Sequence, residues 1–361
     1  MNSTLPSEEV GAKIVEWHSC IIASSYKDAA LLKKEVELML EDMEENDKLL
    51  AYYSLIEYRH QTMINGNNGI LTNEIQFNFK ETSLDHYLKY LYYFVSGQYE
   101  FNKKRYRTAV KMFRKAERLL EHVQDDAEEA EFLSYIGYAY YRINQYLFSM
   151  SYLEQAETAF RRLNFVKKAL NCKQVLGAIY SELENYDKAE LCLKEILEES
   201  TYPSINGITL RALGLNMFAQ SNYESAVKYF KQSLEVKEHK KSYYGMASLA
   251  DLSHSLFKLN DVAAALEVFK KAKEGALYHK DSEFISRCKF IEGAYIKKDT
   301  SVIDEAINEL NSEGLYYEVC ELAAEMVEIS EEKGDNESAL KYSKLAYRGR
   351  VNQNLIGDGQ E

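Results

Sequence analysis

Proline is nearly absent from this chain: 361 residues hold two, Pro6 and Pro203, so little in the sequence interrupts helix. Cysteine is sparse. Cys20, Cys172, Cys192, Cys288 and Cys320 are odd in number, far apart and without C-x-x-C or metal-ligand spacing. That excludes a disulfide framework and a zinc motif and fits a reducing cytoplasm. No apolar run approaches the roughly 18 residues of a membrane span, and the start, MNSTLPSEEVGAK, is too polar for a signal peptide. A cytoplasmic protein without membrane contact is expected. Positive charge is in deficit, 44 Lys and Arg against 57 Asp and Glu, for a net charge of −13. Phosphate contacts need a basic surface, so a direct nucleic-acid ligand is not expected and a protein or peptide partner is. There is no G-x-S-x-G, no phosphate-cradling glycine loop and no H-E-x-x-H, and the seven histidines lack ligand spacing.

What is present is 46% hydrophobic and 28% charged residues, the composition of a helical, water-facing protein. The clearest pattern lies in residues 209–234, TLRALGLNMFAQSNYESAVKYFKQSL, where Gly214 is followed by Ala226, Phe230 and Ser233. Helices approach closely only where side chains are small, so Gly214 and Ala226 mark a crossing and Phe230 fills the space beside it. The same offsets give Gly97 with Ala109, Phe113 and Ala116; Gly137 with Ser149, Leu153 and Ala156; Gly177 with Ala189, Leu193 and Ile196; and Ser253 with Ala265, Phe269 and Ala272. With Gly293 the series is spaced 40, 40, 37, 39 and 40 residues. This internal repeat resembles the tetratricopeptide repeat with lengthened helices or loops. Around Gly293 the second small residue slips to Ala306, and the last hairpin keeps only Ala339 and Ala346, as terminal repeats often do. Tyrosine is abundant, 29 residues, mostly at repeat positions such as Tyr138, Tyr180 and Tyr223. Most serve packing, and a repeat face carrying some of their hydroxyls suits an extended peptide.

Ahead of the repeats, helical spacing of Val10, Ile14, Trp17 and Ile21, then of Ala29, Leu32, Val36 and Met39, then of Leu50, Tyr53, Ile56 and Met63 predicts three helices. The first starts near Ser7; the third is capped by Asn46 or Asp47. The second ends in Glu41, Asp42, Glu44 and Glu45, an unfavourable place for acids beside a helix C-terminus. The expected organisation is all-α: a three-helix bundle over 1–64, a linker over 65–84, a right-handed superhelical tetratricopeptide-like domain of six to seven hairpins over 85–347, and a frayed tail over 348–361.

The segment DMEENDKLLAYYSLIEYRH (42–60), the EW pair Glu16 and Trp17, YLYYFVSGQYEF (90–101), AEFLSYIGYAYY and QYLFSMSYLEQA together resemble the Rap proteins of Bacillus along nearly the whole chain. The resemblance implies a cytoplasmic regulator of two-component signalling. In that family the bundle and repeats bind a response regulator; some members hydrolyse its aspartyl phosphate and others block its DNA-binding domain. A Phr-type pentapeptide on the repeat face drives the bundle to merge with the repeats and releases the regulator. By this resemblance Glu45, Asn46, Asp47, Leu50 and Tyr58 would contact the regulator, and Glu182, Arg211 and Ala212 would line the peptide site. Two departures stand out. Phosphatase members carry a glutamine in a turn like M-E-E-D-Q, and this chain has Asp47 there, preceded by Asn46 where the Asp would be. A carboxylate lacks the amide's N–H donors and repels the phosphoryl group. A family Asn in a Y-N-I-G pattern is replaced by Ala212, a loss of about 1 to 3 kcal/mol, or roughly 5- to 150-fold in peptide affinity. The leading expectation is sequestration of a response regulator without hydrolysis. The alternatives are an aspartate phosphatase using Asn46, and a peptide-sensing protein with a different partner. No cofactor is expected, any Mg²⁺ belonging to the regulator.

Overall fold

The computed structural model describes residues 5–65 and 84–354. The described residues are helical apart from turns and one isolated bridge between Leu5 and Met43, and the chain divides into two compact units, Met1–Cys172 and Lys173–Glu361.

The first unit contains α1 (Ser7–Ile22), α2 (Tyr26–Glu41), α3 (Asp47–Asn65), α4 (His86–Asn102), α5 (Tyr106–Glu117), a 3₁₀ turn (Leu120–His122), α6 (Asp126–Arg142), α7 (Tyr146–Arg162) and the start of α8 (Val166–Glu182). The buried apolar residues of α1 to α6 form one continuous core. Val10, Ile14, Trp17, Leu55 and Ile56 from α1 and α3 are continuous with Tyr90, Phe94, Phe113 and Phe132 from α4, α5 and α6. The expected division at residue 64 therefore does not separate two cores: the bundle is too small to bury its own apolar faces and shares them with the first repeats. The expected linker lies outside the described residues except at its two ends.

The second unit continues with α9 (Tyr186–Glu199), α10 (Pro203–Ala219), α11 (Tyr223–Glu235), the short α12 (Lys237–Lys240), α13 (Tyr243–Lys258), α14 (Val262–His279), α15 (Ser282–Ile291), a π-helical segment (Glu292–Lys297), α16 (Thr300–Ser312), α17 (Tyr316–Glu332) and α18 (Asn336–Asn354). In the hairpins of Gly97, Gly137, Gly177 and Gly214 the glycine lies directly against the large residue sixteen positions on. A Cβ at Gly97 would come within 2.4 Å of the Phe113 ring, at Gly137 within 2.8 Å of Leu153, at Gly177 within 2.7 Å of Leu193 and at Gly214 within 2.5 Å of Phe230. At Gly137 the small partner adds a bond: Ser149 Oγ donates to the Gly137 carbonyl at 2.8 Å. The hairpin turns use one residue of positive φ each, at Lys104, Asn144, Glu184, Ser221 and Asn260. None of these five is glycine, so the repeat spacing and not a Gly signal places them, whereas the last hairpin turns at Gly334, also of positive φ.

Two expectations change near the C-terminus. Gly293 falls in the π-helical segment, and a Cβ there would meet Ile303, ten positions on, at 2.8 Å. The hairpin turn falls at Lys298, also of positive φ, five residues after Gly293 where Lys104 follows Gly97 by seven, so Ile303 and not the expected Ala306 packs against the glycine. The tail expected to fray from 348 stays helical to Asn354. Gly349 is packed on Cys320, whose thiol donates to the Ala346 carbonyl at 3.2 Å.

Candidate functional site

The turn between α2 and α3 is held by the N-terminal segment. Leu5 N–H donates to the Asp42 carbonyl at 2.7 Å, and Glu44 N–H donates to the Leu5 carbonyl at 3.1 Å. α1 starts at Ser7 as expected, with Pro6 in the cap position and no side-chain cap bond, and Ser7 turns to the neighbouring turn. Asn46 is held through both its oxygen and its nitrogen. Its Oδ1 accepts from Leu49 N–H at 3.1 Å, capping α3, and its Nδ2 donates to Ser7 Oγ at 3.2 Å. Asp47 opens α3 with an exposed carboxylate, at the helix end where a negative charge is favoured. Glu44, Glu45 and Leu50 are exposed as well, Leu50 by 42%.

The turn thus presents Glu45, Asp47 and Leu50 as one surface, with Asn46 tied inward. Tyr58 does not belong to it. It is 7% exposed, edge-on to the Tyr99 ring at 6.3 Å, and in this arrangement is a packing residue between α3 and α4.

In the second unit, Arg211 and Ala212 are neighbours on α10, both half-buried. Arg211 Nε donates to Asp251 Oδ2 at 2.7 Å. The pair starts a row of charges on the first helices of successive hairpins: Arg211 of α10, Asp251 of α13, Arg287 of α15 and Glu321 of α17, the last two joined at 2.9 Å. Burial pushes the Asp251 carboxyl up, against the pull of Arg211 and Arg287. Burial also works against Arg287, but Glu321, Glu283 and Glu318 raise it. Glu182, at the end of α8, is half-buried, and burial first, then Glu321 and then Glu182 push the Tyr317 hydroxyl up. The row is acidic in excess and offers charges and hydroxyls at hairpin spacing.

Sequence reasoning did not single out the buried charges. Asp251, Arg287 and Glu321 lie at repeat positions, but nothing in one sequence distinguishes a charged position facing another charge from one facing water. The same holds for His18, Arg59, Glu128 and Glu131 in the first unit. The detectable signal there was Glu128 and Glu131, two acids three apart on a helix face that otherwise reads apolar. Among the described residues no three His, Cys, Asp or Glu side chains are grouped to hold a metal ion, and no helix is long and apolar enough to cross a membrane.

Comparison with known proteins adds to this geometry. The family of response regulator aspartate phosphatase H, N terminal, matches residues 4–65, and the tetratricopeptide repeat matches residues 171–200. Response regulator aspartate phosphatase A of Bacillus subtilis is 30% identical over 96% of this chain and 96% of its own length. The type II methyltransferase M.CeqI of Rhodococcus hoagii is 36% identical over the whole of this chain and 71% of its own length. A solved Rap protein complexed with competence and sporulation factor aligns over 97% of this chain and 100% of its own, with a TM-score of 0.89 and 27% identity. The full-length match to the phosphatase, the N-terminal match over the bundle and the repeat architecture lead to one conclusion: the chain belongs to the Rap family of tetratricopeptide-repeat regulators.

Proposed function

We propose that this chain binds a bacterial response regulator through the exposed surface of residues 45–50 and holds it without hydrolysing its aspartyl phosphate. The observation that carries this reading is the state of the two residues at the family's phosphatase turn. The Asn46 amide is turned to the α3 cap and to Ser7, its oxygen and one of its N–H donors committed there, and Asp47 offers only a carboxylate. A negative group with no N–H donor is a poor orienter of water beside a phosphoryl group. Any Mg²⁺ in the complex would come with the regulator. The row of Glu182, Arg211 and Asp251, with Ala212 beside it, is the proposed peptide site. A peptide that binds better when α1–α3 are packed on the repeats would shift the chain toward that packing and lower its affinity for the regulator.

The test incubates the purified chain with a panel of phosphorylated response regulators, reading complex formation by calorimetry and phosphate loss by gel. The expected result is a complex with one regulator and an unchanged dephosphorylation rate. Accelerated dephosphorylation of any regulator overturns sequestration in favour of a phosphatase. In that case Asn46→Asp, which keeps the capping oxygen and removes the N–H donors, abolishes the activity if the amide is catalytic and leaves it if Asn46 only caps α3.

A further inference from the structure

Arg59 is the one arginine in α1–α3, and its guanidinium is buried outside its own bundle. It lies 5.2 Å from the centre of the Phe94 ring of α4. It bonds to the Glu131 carboxylate of α6 and to His18 Nε2 of α1. Its second acid, Glu128 of α6, is less completely met. Glu128 Oε2 accepts from the Tyr87 hydroxyl of α4 at 3.0 Å, but Oε1, 3.9 Å from Arg59, is buried with no hydrogen bond. Glu131 has a further cation, Lys168 of α8, at 2.8 Å. Shared apolar surface holds many helix pairs together and lets them slide. A buried cation that must find Glu131 on a particular helix face, beside Glu128, fixes a single register.

We propose that Arg59 is a pin that fixes the three-helix bundle to the first repeats, and that the charge on Glu128 sets how tightly the pin holds.

The groups around Glu128 decide the sign. From α1 comes His18, which burial and then Arg59 hold well below the ordinary histidine range, so it stays neutral at neutral pH. From α3 come Arg59 and Tyr52, from α4 Tyr87 and Tyr90, and from α6 itself Asp125, Glu129 and Glu131. The tyrosines are pushed further up by burial and stay protonated. Burial works against the Glu131 charge, but Lys168 and Arg59 hold it below the usual range, so it remains a carboxylate. Glu128 is the group that titrates. Burial raises it from 4.5 to about 7, with Arg59 and the Tyr87 hydroxyl opposing. A carboxyl raised in the docked state favours docking while it is protonated and disfavours it once charged. Docking is therefore strongest on the acid side and weakens as pH rises through about 7. With the undocked carboxyl at its ordinary value, the docking equilibrium falls about tenfold between pH 6 and pH 8.

Hydrogen exchange read by mass spectrometry on the full chain tests this, with rates corrected for intrinsic pH dependence and α10 and α11 as the internal reference. No partner is present, so the outcome is independent of regulator binding. In the unsubstituted chain, protection of the facing stretches of α3 and α6 should fall about tenfold from pH 6 to pH 8. Glu128→Gln should abolish that pH dependence. Arg59→Met, which keeps the length and apolar stem, should lower protection in α3 and α6 at both pH values and leave α10 and α11 unchanged, and Arg59→Lys should recover part of it. A flat pH profile in the unsubstituted chain, an undiminished one in Glu128→Gln, or full protection in Arg59→Met would each overturn the pin. If Arg59→Met unfolds the bundle itself, seen as exposure of Trp17 in its emission, the pH profiles of the other two proteins decide.

Discussion

The crossing of Gly214 and Phe230 is the most direct test of how this sequence makes its fold, because the two residues can be changed separately and together. Phe230 is fully buried, and a Cβ on Gly214 would lie 2.5, 2.7 and 2.9 Å from three atoms of its ring. Ordinary contact needs about 3.4 to 4 Å, so Gly214→Ala requires the ring or a helix to shift by close to 1 Å in a filled core. That overpacking costs about 1 to 3 kcal/mol. Replacing a mid-helix glycine also stabilises by about 1 kcal/mol, so the single substitution is a poor measure by itself. Phe230→Ala alone should cost about 3 to 5 kcal/mol through the void it leaves. In that background the new methyl of Gly214→Ala enters the void, the overlap vanishes and only the helical gain remains. The effect of Gly214→Ala should therefore differ between the two backgrounds by about 1 to 3 kcal/mol, the helical gain cancelling in the cycle. The assay is urea unfolding followed by circular dichroism, with the transition of the second unit resolved from that of the first. If Gly214→Ala has the same effect with and without Phe230, within about 0.5 kcal/mol, the small-against-large crossing does not hold the hairpin.

Two further outcomes follow from buried polar groups. Arg211→Ala leaves the Asp251 carboxylate, one-tenth exposed, with Arg287 as its remaining cation; it should destabilise by about 3 to 5 kcal/mol in urea unfolding, and Arg211→Ala with Asp251→Asn should recover most of that. An equal loss in the double variant would show that the charge pair is not the cause. In the bundle, Trp17 Nε1–H donates to His60 Nδ1 at 2.9 Å, so a proton on His60 removes the acceptor. Burial and then Lys33 hold the His60 imidazole below 6.5. A depressed histidine contributes stability that is present above 6.5 and lost as pH falls through its folded value. Emission of Trp17, the single tryptophan, should therefore titrate with a midpoint below 6.5, and a midpoint at or above it would contradict the pairing.

Much of the architecture was legible in the chain itself. Glycines at intervals of 37 to 40 residues, each with a large partner sixteen positions on, are a local pattern, and local patterns survive translation into helix hairpins. The start of α3 at Asp47 with Asn46 as its cap was equally local. The slip at Gly293 showed in the sequence as a misplaced small residue, but its resolution into a π turn required the backbone.

The candidate site divides along the same line. That residues 45–50 form a charged turn ahead of an amphipathic helix is written in the sequence. That Asn46 is tied to Ser7, thirty-nine residues earlier in the chain, and that Tyr58 is turned into the core against Tyr99, depends on which helices meet. Periodicity marks a face as apolar or polar; it does not name the face opposite. Glu128 and Glu131 stand out as acids on an apolar-reading face, but nothing names their partner until α3 brings Arg59 to them across 69 and 72 residues of chain. The sequence alone determined the helices, their pairing into hairpins and the chemistry of the turn. Only the tertiary structure decided that the bundle shares its core with the repeats and where its buried charge is pinned, because burial and long-range charge pairing are properties of two surfaces in contact and not of either one.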